Sequence, residues 1–82
     1  MSIVLGYRRA DFSGRDKQMV KGCNVYIGDE IVHDGTGLAV ERLYISDNRA
    51  SSMGVDLESL VGKNVTVLYD RRGRVASINY ND

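Results

Sequence analysis

Apolar and polar residues alternate through most of the chain in short runs separated by polar, glycine-containing segments. A period of two is the pattern of half-buried β-strands joined by turns. In the first run, residues 3–12, Ile3, Leu5 and Tyr7 fall on one face and Val4, Gly6, Arg8 and Ala10 on the other. Residues 13–17 are polar and contain Gly14. Alternation resumes over residues 18–27, with Met19, Lys21, Cys23, Val25 and Ile27 against Val20, Asn24 and Tyr26. Two such runs around a polar, glycine-containing segment predict a hairpin. Residues 38–46 set Ala39, Glu41, Leu43 and Ile45 against Leu38, Val40, Arg42 and Tyr44, apolar enough on both sides for a central strand. Residues 64–70 and 75–80 flank Arg71, Arg72, Gly73 and Arg74 and predict a second hairpin.

Between these runs the pattern lapses. Residues 28–37 mix three acidic residues, His33 and three glycines, and read as a loop. In residues 47–62, Asp47 and Asp56 are placed to cap short helical turns, the second ended by Gly62. An 82-residue chain has room for one domain and one modest core. The expected fold is therefore all-β: a single domain over residues 1–82, built as a small five-stranded OB-like barrel with a short helical turn between strands three and four. Closure would remove the exposed sheet edges. An SH3-like barrel uses similar strands and is the alternative topology.

Candidate chemistry changes this picture little. Asp29, Glu30, His33 and Asp34 could supply ligands or proton carriers, but one histidine without a cysteine at ligand spacing reads as a loop residue. Cys23 sits inside a strand and reads as a buried structural thiol. No GxGxxG, Walker A or GxSxG pattern occurs. No enzyme, metal site or cofactor is expected. A lone cysteine suits a reducing compartment. No signal-like amino-terminal segment and no apolar run of about 18 residues is present, so a cytoplasmic protein without a membrane span is expected.

Charge matters through its distribution. Eleven Lys and Arg balance eleven Asp and Glu, so the total does not point to a nucleic acid or a membrane, and any such binding must come from local patches. The cations gather in three groups: Arg8 and Arg9; Arg15, Lys17 and Lys21; and Arg71, Arg72 and Arg74. Tyr7, Phe12, Tyr26, Tyr44, Tyr69 and Tyr80 are interleaved with them on the strands. A groove combining cations with stacking rings is what a single-stranded nucleic acid requires. The candidate contacts are Arg8, Arg15, Lys17, Lys21, Tyr26, Arg42 and Tyr44. The same residues also suit a non-enzymatic interaction or assembly module, with tyrosines packing on strands and charges keeping hairpin tips soluble.

Three segments carry a family resemblance: Gly22-Cys23-Asn24-Val25-Tyr26; the run from Gly37 through Leu43-Tyr44-Ile45-Ser46; and the run from Val61-Gly62-Lys63 through Tyr69-Asp70-Arg71-Arg72-Gly73-Arg74-Val75. In order and spacing, over residues 6–78, the chain resembles small gene V-like, OB-type proteins of prophages and integrative conjugative elements of Gram-positive bacteria. The resemblance implies sequence-independent single-stranded DNA binding in phage or mobile-element replication or transfer, by a homodimer. It implies that contacts on the first hairpin fall at Arg15, Lys17, Lys21 and Tyr26.

Overall fold

The computed structural model describes residues 2–14 and 18–81. Along the chain run β1 (Ser2–Arg9), β2 (Phe12–Ser13), β3 (Met19–Val20), β4 (Gly22–Glu30), β5 (Leu38–Ser46), α1 (Asp47–Met53), α2 (Leu57–Leu60), β6 (Asn64–Tyr69) and β7 (Val75–Tyr80). The five long strands form one antiparallel sheet in the order β5-β4-β1-β6-β7, and β2 pairs with β3 in a short separate ribbon.

The mostly β architecture agrees with the alternation, but the sheet is not a closed barrel. β5 and β7 each pair on one side only and keep free edges, so β5 is an edge strand and not the central strand its two apolar faces predict. The connection over residues 47–62 contains two helices, and its apolar residues Ala50, Met53, Val55, Leu57 and Leu60 pack on the core. These side chains keep water off the core without a ladder between β5 and β7.

One face of the sheet buries Val4, Cys23, Val25, Ile27, Leu43, Ile45, Val65, Val75 and Ile78. Cys23, Val25 and Ile27 alternate on β4 as the sequence predicts, and Leu43 and Ile45 lie directly opposite Val25 and Cys23 on β5. On β1 the expected phase fails. Val4 pairs with Ile27 and Gly6 with Tyr26, so Leu5 is an extra residue in a β-bulge. Val4 thus enters the core, while Leu5 turns outward beside Gly28, where a Cβ would lie 3.1 Å from its Cδ1. Beyond the bulge, Tyr7 and Arg9 share the inner side with Val25 and Cys23, and Gly6 and Arg8 share the outer side with Tyr26 and Asn24.

Ser46 caps α1, its Oγ accepting the Arg49 backbone N–H at 3.1 Å, and Asp47 occupies the first turn instead of the cap. Gly54 ends α1 with φ 67°, a left-handed conformation that glycine adopts without strain. Asp56 caps α2 through the Glu58 N–H at 3.2 Å.

Candidate nucleic-acid interface

The pairing of β1, β4 and β5 brings four of the predicted residues to one face. Gly6, Tyr26 and Arg42 form one row across the strands, and Arg8, Asn24 and Tyr44 form the next row on the same outer face. Side chains repeat on a face every second residue, so these rows are adjacent. Arg8 and Arg42 make no ion pair with another described residue. Their guanidinium forks are available to an anion such as a phosphate, which they match in shape and charge.

Tyr44 is held in place. Its ring meets that of Phe12 with centroids 5.5 Å apart and planes at 57°. It lies over Gly22, where a Cβ would come within 2.6 Å of Tyr44 Cζ and 2.7 Å of the Ile45 carbonyl oxygen. Loss of hydration pushes its phenol pKa upward, and the carboxylates of Asp11 and Asp47 act in the same direction.

Arg9 is adjacent in sequence and opposite in role. Because the bulge turns it inward, it donates to both Asp47 oxygens at 2.8 and 3.1 Å, to Asp11 at 2.9 Å and to Cys23 Sγ at 3.7 Å. The hydrogen bond to Asp47 raises its pKa further and holds the Asp47 carboxyl below the usual carboxylate range. Both its terminal nitrogens are engaged, whereas Arg8 makes no ion pair with another described residue.

Lys21 does not join the outer face. It precedes β4 beside Asp47, whose backbone N–H it accepts at 2.9 Å, and it lines a shallow hollow with Met19 and Asn48. Arg15 and Lys17 lie outside the described residues.

A cleft of about 480 Å³ opens where the free edge of β5 faces α1 and the turn between β6 and β7. Arg42 and Tyr44 line it, joined by Arg49, Tyr69 and Arg74. No family model matches the chain, and no curated protein or solved structure matches it either. The last three cleft residues are absent from the sequence-derived set. Arg74 belongs to the basic turn that the charge pattern does single out, whereas Arg49 sits in a helix with no binding pattern and reaches the cleft only through the fold. Asp70 lies between two of these cations, its Oδ2 at 3.6 Å from Arg49 Nη2 and 3.4 Å from Arg74 Nε. The backbone N–H groups of Arg74 and Arg72, with the charges of Arg74 and Arg49, hold its carboxyl below the usual range.

The acidic segment is a poorer candidate, and residues 28–30 of the expected loop belong to β4, paired with β5. Ser2 Oγ donates to Asp29, Asp34 adopts φ 59°, and no three His, Cys, Asp or Glu among the described residues are grouped to hold a metal ion.

Proposed function

We propose that this protein is a non-enzymatic module that binds single-stranded DNA without sequence preference, in the replication or transfer of a phage or mobile element. The observation that carries the reading is the pair of adjacent outer rows holding Arg8, Tyr26, Arg42 and Tyr44, with both guanidiniums free of ion pairs to other described residues. The cations neutralise phosphates and the rings stack bases, which is a sequence-tolerant form of recognition.

Strand order supports the reading. Counting only the long strands, the sheet runs three-two-one-four-five, the order of an OB-type barrel opened between its third and fifth strands. OB-type barrels bind oligonucleotides on the face of strands two and three, using the loops that follow strands one and four. Here those are the β4–β5 face, the described residues between β1 and β4, and residues 70–74.

A second copy is part of the proposal. At the other end of the outer face, Leu5, Leu38 and Val40 are 42, 52 and 61% exposed around Gly28, beside the unpaired edge of β5. An isologous contact there would bury apolar surface that one small core leaves in water and would keep the Arg8 and Tyr44 end open. The same patch favours the interaction-module reading if DNA is not the ligand.

The test is fluorescence anisotropy with a labelled oligothymidylate at several salt concentrations. Arg8→Ala and Arg42→Ala should each reduce the logarithmic salt slope by about 0.7. Tyr26→Ala should lose about 1 to 3 kcal/mol of binding and Tyr26→Phe should retain most of it. A wild-type protein that binds no oligonucleotide at low salt, where phosphate contacts are strongest, refutes the reading.

A further inference from the structure

Three arginines line the cleft at the β5 edge, Arg42, Arg49 and Arg74, and two carboxylates accompany them, Glu41 in its wall and Asp70 between Arg49 and Arg74. Three positive charges against two negative ones leave one cation unmatched, the complement of a single phosphodiester. We infer that one phosphodiester of a bound strand seats against Arg49 and Arg74, and that the Asp70 carboxylate, which the turn keeps in place, is the anion it competes with for their guanidiniums. The inference rests on the nucleic-acid reading and deepens it. The strand would leave the outer face at Arg42 and Tyr44, which line the cleft as well, and pass around the free edge of β5.

The geometry of Asp70 supports this role. Its Oδ1 accepts the backbone N–H groups of Arg72 at 2.9 Å and Arg74 at 3.0 Å, so the turn fixes the carboxylate. Reciprocal backbone bonds close that turn, Asp70 N–H to the Arg74 carbonyl at 2.8 Å and Gly73 N–H to the Asp70 carbonyl at 3.1 Å, with Gly73 at φ 77°. Its other oxygen meets both guanidiniums at 3.4 and 3.6 Å. Charge-assisted hydrogen bonds close to about 2.7 to 2.9 Å. These pairs are therefore held by charge alone, and the N–H donors of Arg49 and Arg74 remain unsatisfied by Asp70. A phosphodiester presents two non-bridging oxygens where Asp70 presents one, and it can approach to bonding distance. Arg9, with pairs at 2.8 and 2.9 Å, has no such reserve.

A consequence follows for strandedness. Passing from a sheet face around a strand edge into a cleft bends the sugar-phosphate backbone sharply, which a flexible single strand tolerates and a stiff duplex resists.

The deciding experiment compares wild type with Arg49→Gln, Arg74→Gln, Asp70→Asn and the outer-face variant Arg8→Gln, titrating a labelled twelve-residue oligothymidylate across salt concentrations, with a melting curve for each. Arg49→Gln and Arg74→Gln should each weaken binding and flatten the salt slope by up to about 0.7, one single-strand phosphate contact. Asp70→Asn keeps an oxygen for the turn but removes the competing charge, so binding should tighten severalfold. Unfolding cannot mimic that gain. If wild type binds and Arg8→Gln weakens it, while the Arg49, Arg74 and Asp70 variants keep wild-type affinity and slope, the cleft inference is overturned and the outer-face reading stands. If wild type binds no oligonucleotide, the nucleic-acid reading falls, and this inference falls with it.

Discussion

Two neighbouring arginines show how one inserted residue divides structural from functional charge. The bulge at Leu5 sends Arg9 inward to Asp47 and Asp11 and leaves Arg8 facing out. Asp47 and Asp70 both have folded-state pKa values below the ordinary carboxylate range, through Arg9 in one case and backbone N–H groups in the other. Such groups contribute stability that is fully present above the unfolded value near 3.9 and is lost as pH falls through the folded value. Thermal midpoints should therefore hold from neutrality to about pH 5 and fall below about pH 4, and Asp47→Asn should flatten that fall. Melting curves at stepped pH check this, and an acid profile identical in the variant would remove Arg9–Asp47 from the account. Gly22 gives a sharper test. Its Cβ would meet both the Tyr44 ring and the Ile45 backbone, so Gly22→Ala should cost about 1 to 3 kcal/mol as Tyr44 or the strand shifts. For a chain of this size that is a fall of roughly 4 to 8 °C per kcal/mol, readable by circular dichroism.

At the level of elements, alternation locates the strands well. Residues 38–46 and 75–80 coincide with β5 and β7, and the inner triplet Cys23, Val25 and Ile27 is the one the pattern selects. On β6, Val65 is fully buried and Val67 partly so, as their alternation with Thr66 implies. Val65→Asp should abolish cooperative folding, because an unpaired buried carboxylate costs several kcal/mol against a total of about 5 to 15. Val67→Asp should leave a weakened but measurable transition. Equal urea midpoints for the two variants would contradict that gradient. Two features were not legible in the sequence. The bulge was hidden because a period-two pattern cannot show where a residue is added, and Leu5 fits either phase. The edge position of β5 was hidden because Leu38 and Val40 are as apolar as central-strand residues yet lie exposed. Of the candidate site, the face-sharing of Arg8, Tyr26, Arg42 and Tyr44 follows only once pairing is known. Arg49 enters the cleft through tertiary placement, which no local pattern encodes.

For the whole molecule, neutrality in total does not decide what a ligand on the outer face meets. Arg8 and Arg42 on the outer face make no ion pair with another described residue, while Asp29, Glu30 and Asp34 lie at the far end of β4 and in the loop that follows. Local fields decay over about 8 Å at physiological salt, so a phosphate at the outer face responds to Arg8 and Arg42 rather than to the net charge. The proposed second copy is tested by sedimentation. A species of twice 9.1 kDa at tens of micromolar, an order-of-magnitude choice, is expected for wild type and a single-chain mass for Val40→Lys. Wild type sedimenting as a single chain would remove the homodimer. The two unpaired sheet edges also give the protein an isotopic signature. In β1 and β4, bonded on both sides, backbone amides should take up deuterium only as the sheet opens, whereas alternate amides of β5 face solvent and should label almost at once. The mass gained by β5 peptides within the first seconds thus becomes a clock for whatever covers that edge. Slowing with rising protein concentration would register a second chain, and slowing with added oligonucleotide would register a strand passing around it.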